Sequence, residues 1–383
     1  MTGAFRVTAR LCRHASWIAA ALQLLGFPAP AVLHSQARSS PNMPFVLKVP
    51  KGFRIEIVSN RIDGARFLAA APNGDIIVSE IGRGQVVAVR PGSPPGTEPV
   101  VIAGGLEKPN GLAFRGNDLY IATWAGIVVI PDYPRGKSSP RVLFDDMPRN
   151  GDHNARALAL AADGSIYISS GSDCNICVEH DPRLATILHY SPDGRESRIY
   201  ASGLRNASGL ALDHQGRLWA VVNQRDNLTP DHTDLPPEEL DLVREGGNYG
   251  WPTCYPAGSR RLPNPEFGSA SCAGMLPTTL NFQAHSAPLQ AVFYDGMLFP
   301  QRYRGALFVA FHGSWNRQPP TGYKVVAVTF TDGKPTGVED FVTGWLMNTS
   351  RVLGRPVGLA VAADGSLYIS DDTGYLFHVE YAP

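Results

Sequence analysis

One pattern recurs along the chain: a short apolar run, a turn carrying glycine, then a β-rich run. It reads Leu68-Ala69-Ala70-Ala71-Pro72-Asn73-Gly74-Asp75-Ile76-Ile77-Val78, and returns as Leu158-Ala159-Leu160-Ala161-Ala162-Asp163-Gly164-Ser165-Ile166-Tyr167-Ile168. Leu210 through Val221 repeats it around Gln215-Gly216, and Leu359 through Ile369 around Asp364-Gly365. Degenerate copies run from Leu112 to Ile121 and from Tyr303 to Val309. Asn-Gly or Asp-Gly between alternating apolar runs predicts a β-hairpin, because both turn residues must accept positive φ. The turn glycines at 74, 116, 164, 216, 305 and 365 are 42, 48, 52, 89 and 60 residues apart. Units of about 40–50 residues, each a small antiparallel sheet, predict an all-β, six-bladed β-propeller. No segment sustains a helical period.

The long gap predicts a loop insertion at about 227–290, Pro- and Gly-rich. The run Phe53-Arg54-Ile55-Glu56-Ile57-Val58, before the first repeat, is expected to pair with the last blade and close the ring, which removes a free sheet edge. Ahead of it, Arg6, Arg10 and Arg13 precede an apolar stretch from Trp17 to Phe27 and then small residues. That order reads as a signal peptide over 1–37, leaving 38–383 as a single propeller domain. It implies a periplasmic or secreted protein with no membrane span after cleavage.

Composition narrows the function. Lys+Arg and Asp+Glu are equal at 34 each, so a bulk basic surface for nucleic acid is not expected. Only 18% of residues are charged against 44% hydrophobic, which excludes disorder and coiled coils. Four cysteines lie beyond the expected leader: Cys174, Cys177, Cys254 and Cys272. In an exported chain they predict two disulfides, with neighbour pairing the simplest of three connectivities. Val178 after the second Cys of Cys174-Asn175-Ile176-Cys177 excludes covalent haem attachment there.

Loops entering the innermost strands of a propeller converge on one mouth of the channel. Just upstream of the repeat leucines stand Arg66, Asn110, His153-Asn154, Arg205-Asn206 and Arg355, with Arg317 in the corresponding stretch of the remaining blade. Arginines gathered in one cavity repel unless an anion is present, and their planar forks suit carboxylates. A polyanionic small ligand is therefore expected. The alternative is that these arginines pair with Asp152, Asp173, Asp226 or Asp371 and brace the loops. His153, beside Asp152, is the candidate base for a hydroxyl proton. Trp124 and Trp315 are the aromatic residues expected to face substrate.

Gly203-Leu204-Arg205-Asn206 and the run from Glu238 to Pro252 (Glu-Glu-Leu-Asp-Leu-Val-Arg-Glu-Gly-Gly-Asn-Tyr-Gly-Trp-Pro) resemble the soluble quinoprotein glucose dehydrogenases. The resemblance is closer to the exported sorbosone-dehydrogenase-like sugar dehydrogenases. His312-Gly313-Ser314-Trp315-Asn316-Arg317, Gly322-Tyr323-Lys324-Val325-Val326, Arg355-Pro356-Val357 and Ser370-Asp371-Asp372 extend it from about Gly52 to the C-terminus.

This resemblance implies a PQQ- and Ca²⁺-dependent oxidoreductase, where PQQ is pyrroloquinoline quinone, a tricarboxylate. The enzyme would oxidise an aldose or related sugar by hydride transfer to the quinone and pass electrons to an external cytochrome or quinone acceptor. By position, the resemblance implies His153 as general base with Asp152, and Arg205-Asn206 against the quinone. Arg355 would hold a carboxylate, and the carbonyls of Gln224-Arg225-Asp226 would form the calcium loop. Pro109 stands where the glucose dehydrogenases carry a quinone-contacting glutamine, and Arg317 is the cation nearest in sequence to their quinone-binding lysine. A calcium-dependent lactonase and a non-catalytic ligand-binding propeller are the alternatives.

Overall fold

Five of the six copies put their leucine, at 68, 112, 158, 210 and 359, in the innermost strand of an antiparallel blade in the computed structural model, which describes residues 34–36, 46–135, 139–149, 151–229, 232–348 and 350–383. Blade 1 is Ala65–Ala70, Ile76–Glu80, Gln85–Val89 and Val100–Ala103; blade 2 is Leu112–Arg115, Asp118–Ala122, Ile127–Ile130 and Arg141–Phe144. Blade 3 is Leu158–Leu160, Ile166–Ser170, Thr186–Tyr190 and Ser197–Ser202, extended by a parallel pairing with Gly247–Asn248. Blade 4 is Ala207–Leu212, Leu218–Val222, Glu238–Leu242 and Leu280–Phe282. Blade 5 is Pro288–Phe293, Leu307–Phe311, Lys324–Thr331 and Lys334–Val342. Blade 6 takes Pro356–Val361, Leu367–Asp371 and Leu376–Tyr381 from the C-terminus and its outer strand, Phe53–Ser59, from the N-terminal side. The chain is a six-bladed β-propeller. The expected leader lies almost wholly outside the described residues; within its range, His34–Gln36 pairs with Lys48–Pro50.

Ring closure follows the alternation in Phe53–Ser59. Phe53, Ile55, Ile57 and Ser59 are buried while Arg54 and Glu56 are exposed, and Phe53 pairs with Tyr381, Ile55 with Val379. A one-residue slip would turn that apolar set to solvent. Phe53 meets Phe299, Tyr303 and Phe341 edge-on, so the closing strand is also anchored in the core of blade 5. All six turn glycines adopt positive φ, from 57° at Gly116 to 94° at Gly164, as the hairpin reading requires.

Two expectations change. The stretch 227–290 is not one insertion: it holds the outer two strands of blade 4 and the start of the inner strand of blade 5. The strand Glu238–Leu242 opens with two carboxylates, yet both are buried because each is satisfied. Glu238 accepts from the amides of Gln224 and Ala287, and Glu239 pairs with Arg261 at 2.7 Å. Arg261 belongs to the true insertion between those strands, where Cys254–Ala257 pairs with Arg260–Pro263 and Cys254 is bridged to Cys272. The second change concerns blade 5. Its inner strand is Pro288–Phe293, joined through residues 294–306 to Leu307–Phe311, so Tyr303–Val309 is not its innermost run.

The mouth is built by a device inside the blades. A buried serine near the end of the second strand binds the backbone entering the inner strand. Ser79 Oγ accepts from Phe67 N and donates to the carbonyl of Asn110 in the next blade. Ser370 Oγ accepts from Gly358 N and donates to the carbonyl of Arg66 across the closure, and Ser169 Oγ accepts from Ala157 N. Gln290 of blade 5 reaches to Leu68 and Leu359, tying blades 6 and 1 at the axis. These contacts fix the entry backbone, and hence the direction in which the mouth residues leave it.

Candidate active site

Arg66, Asn110, His153, Arg205 and Arg355 all enter at the same end of the innermost strands. The loops joining second to third strands lie at that end too, and they bring Ser172, Gln224, Asp226, His312, Trp315, Arg317 and Asp372 to the rim.

His153 is held by Ser172. Its Nδ1 is 3.0 Å from the Ser172 carbonyl and 2.9 Å from Ser172 Oγ. Ser172 Oγ donates its own proton to the Cys174 carbonyl at 2.8 Å, so it meets the imidazole as an acceptor. Nδ1 therefore carries the proton and Nε2 keeps its lone pair, with no hydrogen bond to a described residue. Burial and the Arg205 charge push the His153 pKa down to about 4, with Ser172, Asp152 and Asp226 pulling the other way. It is a neutral base across the physiological range. Gly171 permits this placement: a Cβ there would lie 2.4 Å from His153 Cβ.

Asp152 does not orient the ring as the Asp-His pairing implies. It is exposed, its amide bonds to the Asp173 carbonyl, and it reaches His153 only through its charge. The orienting group is Ser172, which its place beside Cys174 did not reveal.

The arginines separate into two kinds. Arg66 makes no side-chain hydrogen bond or ion pair to any described residue, and its Nε is enclosed without a partner. Burial works against its charge, with Asp372 attracting from nearby. Arg355 donates to the carbonyls of Gly313 and Ser314 and lies 4.9 Å over the Tyr323 ring, with no carboxylate in ion-pair reach among the described residues. Arg205 is buried and donates to the carbonyls of Asn175, Asn223 and Gln224 and to Asn175 Oδ1, again with no carboxylate bonded. Three cations from blades 1, 4 and 6 thus stand at one mouth with no carboxylate of a described residue bonded to them. Arg317 is different and corrects the expectation. It donates to Asp234 at 2.8 Å and to the carbonyls of Thr233 and Pro319, so all three nitrogens are used in bracing one loop against another. The position upstream of the blade 5 inner strand is held instead by His285, which pairs with Asp226 at 3.3 Å.

Asn110 is buried; its Nδ2 donates to the Arg156 carbonyl and its Oδ1 is enclosed with no partner. Asn206 anchors the mouth through its carbonyl, which accepts from Asn223 N. A pair missed from sequence is His312 and Asp372, whose Nε2 and Oδ2 are 2.9 Å apart, with Arg66 and Arg355 acting on the imidazole. Both residues lie in motifs already singled out, but no spacing rule joins positions 60 apart. Trp315 is exposed at the rim, whereas one face of Trp124 is covered by the Lys108 ammonium at 4.2 Å.

A polycarboxylate fits this mouth, because Arg66 offers an enclosed donor with nothing to bind. Calcium fits the expected loop less well. The Gln224 carbonyl already accepts from the Arg205 guanidinium at 2.8 Å, and the Asp226 carbonyl accepts from Asn175 Nδ2 at 3.0 Å. The Arg225 side chain turns away to Glu266 and Asn264. Gln224 and Asp226 are thus not free carbonyl ligands, and a dication on the Gln224 carbonyl would face a guanidinium.

Comparison with known proteins agrees with the fold. A family model described as TrAA12-like matches residues 47–382. A pyrroloquinoline quinone-dependent pyranose dehydrogenase of Coprinopsis cinerea is 26% identical over 401 aligned positions, covering 87% of this chain and 54% of the relative. The chain thus spans about half the length of that enzyme. The holo form of the pyranose dehydrogenase PQQ domain from Coprinopsis cinerea superposes with a TM-score of 0.77 at 24% identity, over 89% of this chain and 99% of that one. A calcium structure of a Trichoderma reesei family AA12 enzyme gives 0.73 at 23%, over 90% and 100%. At these identities the two structures establish the fold.

Proposed function

The chain belongs to the TrAA12-like family, and from that premise we propose that it is an oxidoreductase that oxidises a sugar hydroxyl or hydrated sugar aldehyde with PQQ held at the propeller mouth. The observation that carries this reading is Arg66, whose Nε is enclosed with no acceptor, sharing a mouth with Arg205 and Arg355, neither of which is bonded to a carboxylate of a described residue. A buried cation without a partner is costly, and a carboxylate relieves that cost. The names of the relatives support the same cofactor and substrate class.

In this reading Arg66 and Arg355 bind carboxylates, and Arg205, held by Asn175, presents its remaining face to the ligand. When bound, PQQ supplies the redox chemistry by accepting a hydride. His153 takes the substrate hydroxyl proton on Nε2, while Ser172 holds Nδ1–H and keeps the ring in the productive tautomer. The arginine charges favour negative charge arising beside them in a partly enclosed site. Calcium is the second cofactor of the proposal, supported by the Trichoderma structure; no step here runs through it. Export through the N-terminal arginine and apolar segment, a periplasmic or secreted location, and an external cytochrome or quinone acceptor complete the reading. No helix among the described residues is long and apolar enough to cross a membrane.

The test is an absorbance titration of the apo-protein with PQQ, with and without Ca²⁺, followed by dye reduction with a panel of aldoses. Saturable quinone binding and sugar-dependent dye reduction are expected. Neither appearing would overturn the reading.

A further inference from the structure

The disulfide between Cys174 and Cys177 closes a four-residue ring on the rim of the mouth. Inside it sits Asn175, whose side-chain amide and carbonyl are all engaged. Asn175 Oδ1 accepts from Arg205 Nη2 at 3.0 Å and from Asp226 N at 2.8 Å; Nδ2 donates to the Asp226 carbonyl at 3.0 Å. The Asn175 carbonyl accepts from Arg205 Nε at 3.0 Å and from Trp251 Nε1 at 3.3 Å. On the other flank, the Cys174 carbonyl accepts from Ser172 Oγ, which with the Ser172 carbonyl holds His153 Nδ1. Ser172 N in turn donates to the Arg205 carbonyl at 2.8 Å. Through Ser172 the ring thus links the base to the buried arginine and the loop after it.

We propose that the Cys174–Cys177 ring is a clasp that sets His153 and Arg205 relative to one another, with Asn175 as the positioning residue for Arg205. Three observations support this. Arg205 has no carboxylate to orient it, so its fork takes its direction from carbonyls and one side-chain amide, and Asn175 supplies two of the four bonds. The amide of Asn175 is matched on both edges, to a cation and to a backbone peptide, which aspartate or leucine could not reproduce. A short disulfide ring limits the backbone freedom of the residues it encloses, so the acceptors are held in place before any ligand arrives.

The role differs from plain bracing because it acts on His153 through Arg205. It rests on the reading that Arg205 and His153 face the cofactor and substrate, and its test has a separate readout in the apo-protein. In Asn175→Ala, PQQ affinity should fall about tenfold, as for loss of one hydrogen bond to a charged group. In the same variant without cofactor, the His153 ring resonance should titrate above its wild-type position, because Arg205, which adds to burial in lowering it, loses the Asn175 Oδ1 bond that fixes the direction of its fork. Adding Asn175→Ala to Arg205→Ala should cost nothing more than Arg205→Ala alone, which simple loss of packing would not produce. Cys174→Ser with Cys177→Ser, which opens the ring and keeps Asn175, should reproduce both effects in weaker form and serves if the alanine variant does not fold.

Unchanged PQQ affinity together with an unchanged His153 midpoint in folded Asn175→Ala would overturn the clasp. Additive losses in the double variant would also do so. If the wild type binds no quinone, the functional reading falls, and the His153 titration alone still decides the clasp.

Discussion

His153 Nδ1 lies against both oxygens of Ser172, 3.0 Å from the carbonyl and 2.9 Å from Oγ, and this pairing decides which nitrogen can act as base. Nε2 is left for substrate. His153→Ala should lower kcat by about 10²–10⁴-fold, the usual worth of a positioned base, while PQQ binding persists. Ser172→Ala removes one of two acceptors and should give a smaller kcat loss with little change in KM. Steady-state kinetics on reconstituted protein check both; equal losses in kcat and cofactor affinity for His153→Ala would place the residue in binding rather than proton transfer.

The same histidine titrates low. Its pKa is lowered from 6.5 to about 4, so the neutral base persists well below the usual histidine range. In the apo-protein the His153 ring resonance should therefore shift only as pH drops towards about 4, with no inflection near 6.5. The stability sign follows from linkage. Between 6.5 and 4 the unfolded chain takes up a proton that the folded chain does not, so this site's contribution is complete above 6.5 and declines as pH falls through that window. Thermal denaturation of wild type and His153→Gln from pH 7 to 4 should converge towards the acid end.

Arg66 and Arg317 should behave oppositely, because one has no partner and the other has three. Arg66→Met should weaken PQQ binding about ten- to hundredfold and leave the apo-protein as stable as wild type, or more so. Arg317→Met should destabilise by about 1–3 kcal/mol and leave PQQ affinity nearly unchanged. Apo-protein melting and quinone titration separate the two, and the reverse assignment would remove Arg66 from the site.

Gly171 is required by approach rather than by turn geometry. A methyl group at 171 would stand 2.4 Å from His153 Cβ and 2.6 Å from its carbonyl oxygen, so the loop carrying the base must shift. Gly171→Ala should lose most of the activity and change the His153 resonance, while the far-UV spectrum stays that of a β-protein.

The blades were legible in the sequence because a propeller repeats one hairpin, and its turns demand glycine at positive φ. The ring closure was legible in the alternation of Phe53–Ser59. Blade 5 is misplaced because its inner strand lacks a tight turn, and Glu238–Leu242 is hidden because its carboxylates are satisfied by two backbone amides and by Arg261, partners that no local pattern reveals. Repeat position predicts which residues stand at the mouth but not which bonds they make. Nothing in the sequence separates Arg66, which is unpaired, from Arg317, which meets Asp234 across 83 residues. The serines Ser79, Ser169 and Ser370 are a signal that could have been found, since Ile-Ile-Val-Ser, Ile-Tyr-Ile-Ser and Leu-Tyr-Ile-Ser recur at one place in three blades.

His312 offers a check on ligand charge that does not depend on catalysis. Its Nε2 bonds to Asp372, and its pKa is lowered first by burial and then by the Arg66 and Arg355 charges, against the pull of Asp372. A tricarboxylate bound by those arginines would cancel part of their field and add negative charge beside the imidazole. Both effects favour the protonated ring, so PQQ binding should draw a proton onto His312 at pH values near its titration. Calorimetric titrations in buffers of different ionisation enthalpy should then give different apparent heats, and the difference should shrink in His312→Gln. Asp372→Asn removes the attraction that sustains the charged ring and should also reduce proton uptake. Heats independent of buffer at and below the usual histidine range, in a protein that binds the quinone, would mean that the cofactor carboxylates do not lie against Arg66 and Arg355.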